Sequence, residues 1–196
     1  KEINQKIKTF GYYCGLPALP TNMVFKKGAP DTIFVMGEDQ KWHLSKYLLW
    51  PKERIKTISS LRFLKEENDF LTSQIFLPIA LFNIDIVLKE IENLLKNYQI
   101  GELNKIQIRN HPAMEKSQLH NYLIEKINEI FDKYLNRFSQ NSSNANINIF
   151  IGSTTALIDA LERDTEIYHI CSDPVFQCFS SLLWPNIKIQ QISRYL

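Results

Sequence analysis

The sequence predicts an α/β protein, a Rossmann-like and mostly parallel sheet with helices on both faces, and three observations carry that reading. From residue 74 onward, short β-branched runs alternate with longer segments of helical period. Apolar positions in the longer segments fall on single stripes, the mark of helices packed on one side. Strands separated by helices are normally parallel and joined by right-handed crossovers, which cover the sheet with helices.

Each element follows in chain order. Residues 75–80 open the main block as a strand, although Pro78 cannot donate to a central ladder and so implies a bulge or an edge position. Residues 83–98 form a helix: Ile84, Val87, Leu88, Ile91, Leu94 and Leu95 share a stripe, Lys89, Glu90 and Lys96 lie off it, and Asn83 is the N-cap. Residues 105–109 alternate as a strand. Leu119, Tyr122, Leu123, Ile127, Ile130, Phe131 and Tyr134 then trace a helix over 114–138, before an Asn- and Ser-rich loop at 139–146. Strand 147–151, helix 154–163, strand 166–170, helix 175–183 and strand 188–192 complete the block. The first third differs in texture, with strands at 8–13, 32–36 and 52–58, a Pro/Gly-rich loop at 15–30 and a short helix at 39–49. A polar connector at 65–73, carrying Lys65, Glu66, Glu67, Asn68 and Asp69, divides the chain into lobes 1–66 and 67–196.

Composition excludes several function classes. The 196 residues carry a formal charge of +2, too little for the basic field that drives nucleic-acid binding. No apolar stretch approaches the roughly 18 residues of a membrane helix. Cys14, Cys171 and Cys178 leave one odd thiol and no metal-ligand spacing, which predicts free thiols in a reducing, cytoplasmic setting and no metal. The six glycines form no GxGxxG, P-loop or GxSxG motif, which removes dinucleotide dehydrogenases, P-loop enzymes and nucleophile-elbow hydrolases. HExxH and DxD are also absent. A start at Lys1 with no signal-like stretch predicts a piece of a longer protein.

In open parallel sheets, ligands bind outside the carboxyl ends of the strands. Two junctions there carry chemistry. In Arg109-Asn110-His111-Pro112, a strand delivers a guanidinium and an imidazole to the sheet edge, both able to hydrogen-bond a phosphate. The same residues also read as a plain turn with an exposed histidine. In Gly152-Ser153-Thr154-Thr155, an apolar strand runs into a glycine and three hydroxyls at a helix start, an arrangement suited to an anion or to simple capping by Ser153. Asp159, further along that helix, is a candidate acceptor for a ribose hydroxyl pair or a surface carboxylate, while Glu162 beside Arg163 reads as a surface pair. His43 and His120 read as exposed, His169 as a packed strand histidine, and Asp173-Pro174 as a helix start.

The pairing of "IRNHP" with "IFIGSTTALIDALERDTEIYHI" resembles the nucleotide-binding half of bacterial GT-B glycosyltransferases, and within them sialyltransferase-like and capsule-type enzymes. That resemblance implies a His-Pro motif at His111 and Pro112, a Ser/Thr pair at Ser153 and Thr154, and a ribose carboxylate at Asp159, where the family usually has Glu. It makes His111 the catalytic candidate and Arg109, His111, Pro112, Gly152, Ser153, Thr154, Thr155 and Asp159 the nucleotide contacts. The stretch from Phe10 to Phe63 resembles the end of the first lobe, with Cys14 where the family often has histidine. The implied activity is metal-independent transfer from a nucleotide sugar, CMP-activated among the options, to a surface glycan or glycolipid. The nucleotide sugar is then a substrate and no cofactor is expected; the acceptor's general base belongs upstream. The resemblance further implies a cytoplasmic location with peripheral attachment to the inner membrane. A polyol-phosphate transferase, a sugar-nucleotide epimerase and a non-catalytic scaffold are the alternatives.

Overall fold

The computed structural model describes residues 7–15, 21–61, 72–97, 106–135, 147–163, 165–171 and 190–191. The chain divides into two compact units, Lys1–Glu66 with Cys178–Ile187, and Glu67–Gln177 with Lys188–Leu196. Both are α/β with parallel sheets.

The first unit holds strands β1 (Phe10–Tyr12), β2 (Thr32–Val35) and β3 (Ile55–Thr57), paired in that order and all parallel. Ile33, Val35 and Ile55 alternate onto one face and form a core with Leu44 of helix α1 (Glu38–Tyr47), with Leu48 and with Trp50. The Trp50 indole N–H donates to the Met23 carbonyl at 2.6 Å, so the loop before β2 is tied to the turn after α1. The Asp31 carboxylate accepts from the Thr9 backbone N–H and hydroxyl, which fixes the entries to β1 and β2 side by side.

The second unit holds strands β4 (Gln74–Phe76), β5 (Gln107–Arg109), β6 (Asn148–Ile151), β7 (Ile167–Ile170) and β8 (Gln190–Gln191) in the order β5-β4-β6-β7-β8, all parallel. β4 is central, which corrects the edge or bulge expected from Pro78. The ladder strand ends at Phe76, so the proline falls beyond the positions that must donate. Helices α2 (Ile84–Asn97) and α3 (Gln118–Leu135) pack on each other and on one sheet face. There Val87, Ile91, Leu94, Leu123 and Ile127 meet Ile75, Leu77, Ile149, Ile151 and Ile170. Asn83 caps α2, its side-chain oxygen accepting from the Ile86 N–H at 3.2 Å. The step from β4 to β5 runs one way across the sheet and the step from β5 to β6 the other. Helix α4 (Ala156–Glu162) packs against β7. The helix expected at 175–183, the loop at 139–146 and the connector at 65–71 lie outside the described residues. No described helix is long and apolar enough to cross a membrane. Cys14 and Cys171 are free thiols, and Cys178 lies outside the described residues.

Candidate functional site

The strand order reverses at β4, because β5 lies on one side of it and β6 on the other, and parallel sheets open a crevice at such a point. The carboxyl ends of β5 and β6 flank that of β4, two strand spacings or roughly 10 Å apart. Both chemistry-bearing junctions therefore lie on the same edge of the same sheet.

At the β5 junction the backbone leaves the sheet through His111, whose extended geometry and following Pro112 start a single turn of tight helix, Pro112–Met114. The imidazole Nδ1 accepts the Ala113 N–H at 3.2 Å. In neutral His111 the proton consequently sits on Nε2, which leaves a donor on the ring's outer side. The Asn110 amide donates to the Met114 carbonyl at 3.1 Å and braces the same turn. Arg109 behaves differently from expectation. Its Nε donates to Oε1 of Gln74 at 3.0 Å, and Gln74 stands level with Gln107, two residues back along the strand. The guanidinium is thus drawn towards the amino ends of the strands, away from the edge.

At the β6 junction Gly152 is buried and has φ +59°, a conformation that a side chain disfavours. Its N–H donates to the Ile170 carbonyl and its carbonyl accepts from Nε2 of His169, both at 2.8 Å. Helix α4 begins at Ala156 with Thr155 as its cap and with no side-chain capping bond, so Ser153 does not cap it. With seven residues, α4 brings only a short dipole, and the anion-attracting groups at this junction are the Ser153 N–H and the Ser153 and Thr154 hydroxyls. Thr154 is nearly buried and Ser153 half-buried. Asp159 is buried and its carboxylate accepts from the Arg163 Nε at 2.7 Å, which commits it within its own helix. Glu162 has a further interaction besides.

The histidines sort by register. His169 is fully buried as expected, and burial pushes its imidazole down to about 4 against a smaller upward pull from the Gly152 carbonyl. His120, expected exposed, is instead buried. Its Nε2 donates to the Pro78 carbonyl at 2.9 Å while Nδ1 accepts from the Ser117 hydroxyl at 3.0 Å, which ties α3 to the loop after β4. The signal was its spacing of three and seven from Leu123 and Ile127, which places it on the apolar stripe. His43, also expected exposed, is half-buried, and burial lowers its pKa. Among the described residues, no group of His, Cys, Asp and Glu is arranged to hold a metal ion. Comparison of the chain with protein-family models, with curated proteins and with solved structures gives no match.

Proposed function

We propose that the second unit binds the nucleotide portion of a sugar donor and that the chain serves glycosyl transfer to a bacterial surface glycan in the GT-B manner. One observation carries the reading: the His111 junction and the Gly152-to-Thr155 junction flank a switch point of a parallel sheet, on its carboxyl edge. The outward Nε2–H of His111 and the Ser153 and Thr154 hydroxyls would donate to phosphate oxygens. Their bonds would strengthen as charge builds on the departing phosphate, which lowers the barrier more than it tightens binding. Asp159 drops out of the contact set, held by Arg163, and Gln74 takes one of the five donors of the exposed Arg109. Those two commitments favour a second reading, a binding module that keeps the fold without the chemistry.

Titration with CMP, UDP and CDP tests the first reading. Binding of at least one at millimolar concentration or below is expected, and none binding removes the proposal. His111→Ala and Ser153→Ala should each weaken that affinity by about tenfold, as for loss of one hydrogen bond to a charged group. Binding without turnover of the matching nucleotide sugar by the full-length protein would favour the module.

A further inference from the structure

We propose that His169 is a positioning residue for this donor site, which holds the peptide plane between Gly152 and Ser153 so that the Ser153 N–H faces the anion. The inference rests on the nucleotide reading above and adds to it a residue that lies one strand away from the ligand.

A fully buried imidazole in a strand interior costs the desolvation of its polar atoms, a cost that a leucine at the same position would not carry. His169 sits in β7 level with Phe150 of β6, and its Nε2 reaches past the end of β6 to the Gly152 carbonyl at 2.8 Å. The next residue of β7, Ile170, accepts the Gly152 N–H at 2.8 Å. Two consecutive residues of one strand therefore grip both polar groups of a single glycine. The φ of +59° at Gly152 is the conformation that this double grip selects.

A peptide unit is planar and trans, so fixing a carbonyl also fixes the N–H of the following residue in the opposite direction. No cis bond occurs among the described residues. With the Gly152 carbonyl held towards His169, the Ser153 N–H is turned away from β7. Among the described residues that N–H has no acceptor. Donation into the carbonyl also polarises the peptide and strengthens its N–H as a donor. Because a carbonyl can only accept, the ring nitrogen facing Gly152 carries the proton, and burial keeps the ring neutral well below pH 6.5.

Nitrogen-15 NMR of the wild-type protein and of two variants, His169→Gln and His169→Leu, tests the inference together with nucleotide titration. The wild-type ring should be the Nε2–H tautomer, and the Nδ1–H tautomer would overturn the proposal whether or not any variant folds. The glutamine amide can still donate to the Gly152 carbonyl, so His169→Gln should keep the Ser153 amide shift and an affinity within about twofold of wild type. His169→Leu, studied well below its melting temperature, should shift the Gly152 and Ser153 amide signals and weaken CMP, UDP or CDP by about five- to tenfold, the loss of one hydrogen bond. A folded His169→Leu with unchanged amide signals and affinity overturns it, as does a folded His169→Gln that binds no better than the leucine variant. If the wild-type protein binds none of the three nucleotides, the donor reading fails. The tautomer and the Ser153 amide shift then still decide whether His169 sets the turn.

Discussion

The two faces of the second sheet are built on opposite principles, although they alternate along the same strands. One face presents Ile75, Leu77, Ile149, Ile151 and Ile170 to α2 and α3, with Tyr168 level with Ile149, and is mainly aliphatic. The other presents Gln74 and Phe76, Asn148 and Phe150, and His169, of which all but Phe76 are buried, with Phe76 and Phe150 stacked at 4.7 Å and 2°. The first face is held by non-directional burial, so what matters there is volume. The second is held by direction: Gln74 accepts from Arg109, His169 donates to Gly152, and the stacked rings lie between them. The central strands β4, β6 and β7 thus carry one side held by burial and another held by directed contacts.

The contrast is broken most severely on the aliphatic side. Ile149→Ala removes a fully buried side chain from the middle of β6 and should cost about 2–5 kcal/mol in urea unfolding, by lost transfer energy and by the cavity left behind. On the directional side the largest effect is pH-linked. His169 protonates at 6.5 when free and at about 4 in the folded chain, so the unfolded state binds more protons between those values. Its contribution is fully present above pH 6.5, is lost as pH falls towards 4, and amounts to on the order of 3 kcal/mol. His169→Gln should flatten that limb of the stability profile. His43, lowered by burial in the same direction, remains in both proteins and cancels in the difference.

Asn148 is the next residue to Ile149 and should respond in the opposite sense. Its side chain is fully buried, and among the described residues neither its Oδ1 nor its Nδ2 has a partner. A buried amide left unsatisfied costs about 1–3 kcal/mol. Asn148→Leu, which keeps the branching and removes the polar atoms, should therefore raise stability by about 1 kcal/mol. A loss of that size would show that Asn148 is satisfied in solution and that the directional face extends to it.

Much of the aliphatic face was legible because its periodicity is strict: the stripe from Ile84 to Leu95 and the run from Leu123 to Tyr134 name packed residues of α2 and α3 in advance, whereas Leu119 and Tyr122, read on the same stripe, are exposed. Most of the polar face was not, since amides at alternate strand positions read equally well as a solvated side; His169 alone was read as packed. The carboxyl-edge junctions could be placed because parallel order follows from strand–helix alternation. Which side chains stay free at that edge could not, because it depends on partners distant in sequence. Gln74 takes Arg109 from 35 residues away, and Gly152 is gripped by a residue 17 further on. Local composition misled for His120, where polar neighbours masked the spacing that places it on the apolar stripe.

The smallest effect is expected where a polar contact sits at the rim of the aliphatic layer. Glu92 of α2 accepts from the Lys133 ammonium at 2.7 Å and the Tyr134 hydroxyl at 3.0 Å, both on α3, with Lys96 at 3.7 Å. These bonds hold its carboxyl below the usual range, so they stabilise the fold above pH 4.5 and the gain is lost as pH falls. Water reaches the pair, and the Lys133 side chain is 59% exposed, so Glu92→Gln should cost no more than about 1 kcal/mol at pH 7. The difference between the two proteins should shrink towards zero in acid, where the wild-type carboxyl is itself neutral. A loss as large as that of Ile149→Ala would mean that α2 and α3 are joined by direction as well as by volume, and the division between the two faces would then need redrawing.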